Sequence, residues 1–203
     1  MNFDISVVVL TGGTSRRFGS DKSSAILNGR SLLNHVLDPI GAHLSTFIVG
    51  EAPFDINRSV TVVREEPALG GPVSAIAAAL PLVTSARVFL IATDMPFGSL
   101  LLPVLESSWK SNFDAVVPLL DNQSQPLCAL FDRVKLSIAI SKLGATTNTS
   151  MRELMSHLNP YLLPLSPELS HCLMDIDYPA DLILAAQLSD TLNQDSNSSE
   201  EPK

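Results

Sequence analysis

The residues best suited to chemistry lie near the start of the chain. Leu10-Thr11-Gly12-Gly13-Thr14-Ser15-Arg16-Arg17-Phe18-Gly19-Ser20-Asp21-Lys22 continues directly from the apolar run Ile5-Ser6-Val7-Val8-Val9-Leu10. A short unbroken apolar run reads as a buried strand. The chain therefore leaves a strand and enters a loop rich in glycine, hydroxyl groups and positive charge. Gly12 and Gly13 let backbone N–H groups approach a ligand with no Cβ in the way, and Arg16, Arg17 and Lys22 place charge where phosphates would lie. Together they suit the phosphate tail of a nucleotide. The spacing is not that of a Walker A loop, because Ser20 and Asp21 separate Gly19 from Lys22. Nor is it the dinucleotide fingerprint, since Gly12 and Gly13 are adjacent. The simpler alternative is a surface turn with solvated arginines; the clustering of cations just after a first strand favours the phosphate loop.

Three acidic segments follow. Asp94, in Thr93-Asp94-Met95-Pro96, comes directly after the apolar run Val88-Phe89-Leu90-Ile91-Ala92. A carboxylate at a strand end is placed to hold a divalent cation such as Mg²⁺, which takes one or two carboxylates together with substrate phosphates; the alternative is a turn cap. Met174-Asp175-Ile176-Asp177-Tyr178-Pro179 carries two more carboxylates, which in extended chain share a side. Either can join Asp94, and the expected metal ligands are Asp94 and Asp177; the alternative is capping of a helix opening at Pro179. In Arg64-Glu65-Glu66-Pro67-Ala68-Leu69-Gly70-Gly71-Pro72, a glutamate after a strand can accept from the N1–H and exocyclic amine of guanine.

These groups need a scaffold, and the pattern supplies one. Residues 46–49, 60–63, 88–92, 113–117 and 127–131 read as strands, and residues 31–40, 72–82 and 99–110 as helices, with Ser31 as an N-cap and Pro72 in a first helical turn. Continuous apolar strands alternating with helices predict an α/β, three-layer sandwich around a mostly parallel, Rossmann-like sheet. Ligands in such sheets bind beyond the carboxyl ends of the strands, where the Gly12 loop and Asp94 fall. The 203 residues suit one domain, expected over 1–191, and the apolar-poor segment 192–203 is expected to be a disordered tail. A hydrophobic fraction of 45% against 17% charged residues is enough for a sizeable core. With a net charge of −8, no nucleic-acid or anionic-membrane partner is expected. The absence of a signal-like start or long apolar stretch predicts a cytoplasmic protein. Cys128 and Cys172 read as buried structural thiols.

The order of these pieces resembles the molybdenum cofactor guanylyltransferases of the nucleotidyltransferase superfamily. The likeness rests on Leu10 to Lys22, on Gly71-Pro72-Val73-Ser74-Ala75, on Asp94-Met95-Pro96, on Gln125-Pro126-Leu127, on Ser150-Met151-Arg152-Glu153-Leu154 and on Asp175 to Leu182. It implies the nucleotide-diphospho-sugar transferase type of sheet and the transfer of GMP from GTP to molybdopterin, with release of pyrophosphate. Leu10, Thr11, Gly12, Gly13 and Lys22 would contact the nucleotide, Glu65 (or Glu66) the guanine, and Asp94 the Mg²⁺. Arg16, Lys22 and Asp94 are the expected catalytic residues. A phosphate nucleophile is already ionised near neutral pH, so charge-absorbing groups matter more than a general base. Proteins of molybdenum insertion or molybdoenzyme maturation are the expected partners. Within the same fold the alternative is a cytidylyltransferase or another nucleotidyltransferase; outside it, a non-catalytic nucleotide-binding module. Thr11 stands where the family pattern has alanine.

Overall fold

Strand β1 (Ile5–Leu10) is buried at every position and lies at the centre of one twisted sheet. Its side chains alternate between two apolar layers. Val7 and Val9 join Leu32, Leu33, Phe89, Ile91 and Leu105 on one side. Val8 and Leu10 join Val73, Ile76, Leu90 and Phe131 on the other. A period of two with apolar residues at both phases is what a sheet covered on both faces requires. Each fully buried Val, Leu, Ile or Phe contributes roughly 1.5–3 kcal/mol, so this strand and its neighbour carry much of the stability.

The structure is a computed structural model; it describes residues 4–11, 24–51, 56–66 and 68–198. The Gly12 to Lys22 segment, with Gly12, Gly13, Arg16 and Lys22, lies outside those residues. The remaining strands of the main sheet are β4 (Thr46–Val49), β5 (Thr61–Val63), β6 (Arg87–Ala92), β7 (Ala115–Leu120), β8 (Gln123–Ser124), β9 (Cys128–Asp132) and β10 (Pro160–Pro164), in the order β10-β7-β9-β6-β1-β4-β5 with β8 paired to β7. The pairs β1–β4, β1–β6, β4–β5 and β7–β10 are parallel; β9 runs antiparallel to β6 and β7. The fold is thus the expected mostly parallel α/β sheet. A two-stranded hairpin, β2 (Ile26–Leu27) and β3 (Arg30–Ser31), turns through Asn28 and Gly29, both at positive φ. That is the Asn-Gly signature of a tight hairpin.

Helix α1 (Leu32–Leu37) is capped by Ser31, whose Oγ accepts from the Asn34 N–H at 3.3 Å. Its carboxyl end is closed by Arg58, which donates to the carbonyls of Leu37 (2.9 Å), Ile40 (2.8 Å) and Gly41 (3.1 Å). Partial burial lowers the Arg58 pKa, an effect that Asp38 opposes. Helix α2 (Pro72–Ala79) opens with proline after Gly71 and ends in a 3₁₀ turn. A 3₁₀ turn (Gly98–Leu101) leads into α3 (Leu102–Ser107), and α4 (Arg133–Ser141) and α5 (Met151–Met155) cover the α2 side. Short α6 (Pro167–Ser170) precedes the last helix, α7 (Asp181–Ser198). That helix continues through most of the segment read as a disordered tail. Polar Asn, Gln, Ser and Asp residues cost well under 1 kcal/mol each in a helix, and no glycine or proline interrupts them before Pro202. Among the described residues no helix is long and apolar enough to cross a membrane.

Candidate active site at the carboxyl ends of the strands

The parallel strands β6, β1, β4 and β5 end side by side, and a ladder of bonds continues past them. The Leu10 carbonyl accepts from both the N–H (3.0 Å) and the hydroxyl (2.8 Å) of Thr93. The Val49 carbonyl accepts from the N–H (3.0 Å) and hydroxyl (3.1 Å) of Thr11. The Gly50 N–H donates to Val63 at 3.0 Å, from a φ of +116° that favours glycine. The hydroxyl of Thr11 is therefore a lock on the neighbouring strand end. Leu10 and Thr11 directly precede Gly12 in the sequence, and Thr93 joins the strand end to Asp94.

Asp94 is half-buried in the turn after β6, where the Met95 N–H returns to the Ala92 carbonyl at 3.2 Å. The Asp94 carbonyl accepts from the Ile176 N–H at 2.8 Å, which brings the late acidic segment alongside. Ile176 itself is buried in the core and anchors that segment. A cleft of about 250 Å³ opens here, lined by Asp94, Asp175, Gln125, Pro126, Met151 and Leu173 among others. Asp175 is the second carboxylate on its wall. Asp177, the expected partner of Asp94, is not among the described residues that line it. In the turn into α7 the N–H groups of Asp177 (2.8 Å) and Tyr178 (2.7 Å) both donate to Asp181 Oδ2. Asp181 thus reaches back from the first turn of α7 to the backbone ahead of the helix.

Glu65 is buried at the end of β5, and its Oε1 accepts from the Leu69 N–H at 3.1 Å. It shapes the loop that leads to α2. The next residues, Gly70 and Gly71, are fixed by a bond from the Asn148 N–H to the Gly70 carbonyl (2.7 Å) and by a Gly71 φ of +90°. Leu10 and Thr11, Asp94 and the Glu65 loop thus follow the carboxyl ends of β1, β6 and β5, and Asp175 joins Asp94 in the cleft. Thr93, Asn148 and Asp181 are additions that sequence reasoning missed. Thr93 had a visible signal, a hydroxyl beside the strand-end aspartate; the other two act through backbone contacts with no local pattern. A second groove of about 340 Å³ lies by the β2–β3 hairpin. Its Arg30 and Asp38 are paired with each other at 2.5 Å.

What this arrangement can do is present two carboxylates, Asp94 and Asp175, to one cleft beside the strand ends. Residues 7–161 match the family model of the MobA-like NTP transferase domain. The chain belongs to that family and is a nucleotidyltransferase. It is 29% identical over 141 residues to a probable molybdenum cofactor guanylyltransferase of Natranaerobius thermophilus, which covers 66% of this chain and 69% of that one. A protein of the same name from Bacillus cereus is 28% identical over 162 residues, 75% of this chain and 80% of its own. Among solved structures, the molybdopterin-guanine dinucleotide biosynthesis protein A of Archaeoglobus fulgidus superposes with a TM-score of 0.73 at 23% identity, over 92% of this chain and 99% of its own. The 2-C-methyl-D-erythritol 4-phosphate cytidylyltransferase of Thermus thermophilus has the same fold, with a TM-score of 0.64 at 16% identity, covering 92% of this chain and 99% of that one.

Proposed function

We propose that this nucleotidyltransferase transfers GMP from GTP to molybdopterin, giving the guanine dinucleotide and pyrophosphate. The observation that carries the reading is the cleft that Asp94, just after β6, lines together with Asp175, while Thr93 ties the Asp94 turn to the Leu10 strand end. The relatives' names, probable molybdenum cofactor guanylyltransferases, support guanylyl transfer in molybdenum cofactor synthesis.

The roles follow from charge. Leu10, Thr11, Gly12, Gly13 and Lys22 hold the nucleotide, Arg16 and Lys22 draw negative charge from its phosphates, and Glu65 meets the guanine with the oxygen that Leu69 does not use. An oxygen of molybdopterin's terminal phosphate attacks the α-phosphorus of GTP, and the bond to the departing pyrophosphate breaks. The acceptor phosphate carries its charge at neutral pH, so no residue is needed to remove a proton. Oxygen donors on Asp94 and Asp175, which line one cleft, would suit Mg²⁺ together with substrate phosphates. When bound, that ion supplies charge neutralisation at the phosphates. Asp94 orients and Lys22 stabilises; the apolar lining from Met151, Pro126 and Leu173 keeps water from the acceptor side. The reaction runs in the cytoplasm, and the product passes to proteins of molybdoenzyme maturation.

The test is molybdopterin-dependent pyrophosphate release, titrated with GTP, CTP and ATP in the presence of Mg²⁺. The reading expects GTP to be preferred by at least tenfold in kcat/KM. A preference for CTP would replace guanylyl by cytidylyl transfer, and binding of GTP with no turnover would support a non-catalytic module.

A further inference from the structure

We propose that the groove beside the β2–β3 hairpin is a second ligand site, for a flat heterocycle with a hydrogen-bond acceptor and an N–H donor side by side on one edge. The groove encloses about 340 Å³, against about 250 Å³ for the Asp94 cleft, and among the described residues the two share no lining side chain. That volume lies at the lower end of the range usual for small-molecule sites.

The apolar wall is firm. Pro96 and Phe97 are buried, and Leu100 lines the groove with 40% of its surface exposed. The His35 ring stands at 69° to Phe97, with centroids 6.4 Å apart. Its Nε2 lies 2.8 Å from the Leu27 carbonyl, which can only accept, so that nitrogen carries the hydrogen and the ring is anchored to the hairpin. Side chains already held in place lose little entropy when a planar molecule packs on them.

Arg30 and Asp38 supply the polar edge. A single contact between Arg30 Nη2 and Asp38 Oδ2 joins them, and their side chains are 52% and 40% exposed. Their charges cancel, so the pair selects neither an anion nor a cation. It presents a guanidinium N–H beside a carboxylate oxygen. Arg30 has five N–H donors and Asp38 a second oxygen, so their own contact leaves both with capacity to spare. A ring answers both when an acceptor and an N–H stand next to each other, as on the lactam edge of guanine or of a pterin.

Both walls of the groove run on into the Asp94 cleft. Asp94 and Met95 line the cleft, and the next two residues, Pro96 and Phe97, line the groove. On the other side Asp175 lines the cleft, and the chain passes through the turn held by Asp181 into α7, whose buried Ser189 lines the groove. The first wall is tightly packed: a Cβ on Gly98 would come within 2.9 Å of Ile91 Cδ1, and Ser99 Oγ donates to the Val36 carbonyl of α1. A ring seated between these walls therefore acts on the spacing of Asp94 and Asp175. The link to the cleft rests on the role proposed above for Asp94; the site itself does not.

The test is an amide NMR titration of the wild type, Arg30→Met, Asp38→Ala and Leu100→Trp. The probes are guanosine, unsubstituted pterin, and caffeine, a flat purine with no N–H donor. Guanosine, pterin or both should shift the Arg30, Leu100 and Ser189 amides of the wild type, and the one that does identifies the source of the ring. Arg30→Met and Asp38→Ala should each weaken that binding about tenfold, the scale of one hydrogen bond to a charged group. Leu100→Trp, whose larger ring fills the groove, should abolish it. The Met95 and Asp175 amides should move with the same midpoint in the wild type and stay still in Leu100→Trp. The site is overturned if neither guanosine nor pterin shifts the groove amides, if caffeine binds as tightly, or if any of the three variants binds as the wild type does. If the groove fills while Met95 and Asp175 stay still, the site stands and its link to the cleft is overturned. A failure of guanylyl transfer in the pyrophosphate assay moves none of these amide shifts, so the two readings fall separately.

Discussion

Thr93→Val isolates the bond that sets Asp94 relative to the phosphate-loop strand. Thr93 is 4% exposed, and its hydroxyl donates to the Leu10 carbonyl at 2.8 Å while its N–H donates to the same oxygen at 3.0 Å. Valine keeps the shape and removes only the hydroxyl. The Leu10 carbonyl retains the backbone donor, so no orphaned acceptor is created and the loss is the net worth of one buried hydrogen bond, about 1 kcal/mol. In a domain of this size that corresponds to a fall in Tm of about 2–4 °C. The functional effect should be larger in proportion. With a single bond left, the turn that carries Asp94 can shift against Leu10 and Thr11, and small displacements of a positioned group weigh heavily on rate. We expect kcat to fall about tenfold with nucleotide KM nearly unchanged. Calorimetry and steady-state pyrophosphate release read both numbers. Thr93→Ser is the control: it loses a methyl and some stability but keeps the donor, and should retain kcat. A Thr93→Val enzyme with wild-type kcat, or a Thr93→Ser enzyme that is slower than it, would refute the argument.

Arg58→Met leaves the carbonyls of Leu37, Ile40 and Gly41 without their shared donor; in this half-exposed setting it should cost about 2 kcal/mol, seen as a Tm lower by about 4–8 °C with unchanged turnover of the folded enzyme. Asp181→Ala removes the acceptor of two N–H groups that bend the chain after Asp175; we expect about 1 kcal/mol in denaturant unfolding and a several-fold loss of kcat/KM, whereas Asp181→Asn should restore most of both. Burial raises the pKa of Cys128 and of Cys172. A thiol whose folded pKa is raised contributes stability below the unfolded value near 8.5, and that contribution is lost as pH rises above it. The wild type should therefore lose stability between pH 8.5 and 10 relative to Cys128→Ala, and thiol reagents at pH 8 should label neither cysteine before unfolding.

The centre of the fold was legible because its strands are unbroken apolar runs. Residues 5–10 and 46–49 match β1 and β4, and 88–92 misses β6 only at Arg87. What escaped has physical causes. β10 begins and ends with proline and is half-exposed, as an edge strand can be. Helix α4 buries only Leu136 and Ala139 while Val134 and Ile138 face solvent, so its apolar residues mark no single face. The antiparallel run of β9 leaves no mark in its composition. The hairpin turn Asn28-Gly29 carries the Asn-Gly signal of a two-residue turn. At the site, Asp94 was legible from its place after a strand. That Asp175 shares its cleft was not, because that depends on the long-range bond from the Ile176 N–H to the Asp94 carbonyl. Glu65 was legible as a carboxylate at a strand end, but its grip on Leu69 depends on a loop conformation that spacing does not encode.

The central claim is that Asp94 works at the reacting phosphates, and Asp94→Asn tests it most directly, since the substitution keeps the size and removes the charge. The measurement is formation of the guanine dinucleotide from GTP and molybdopterin with saturating Mg²⁺, alongside Tm. The account predicts at least a hundredfold loss of kcat, the scale of removing one stabilising group from a transition state, with Tm within about 2 °C of the wild type. Wild-type turnover by the folded Asp94→Asn enzyme would contradict it.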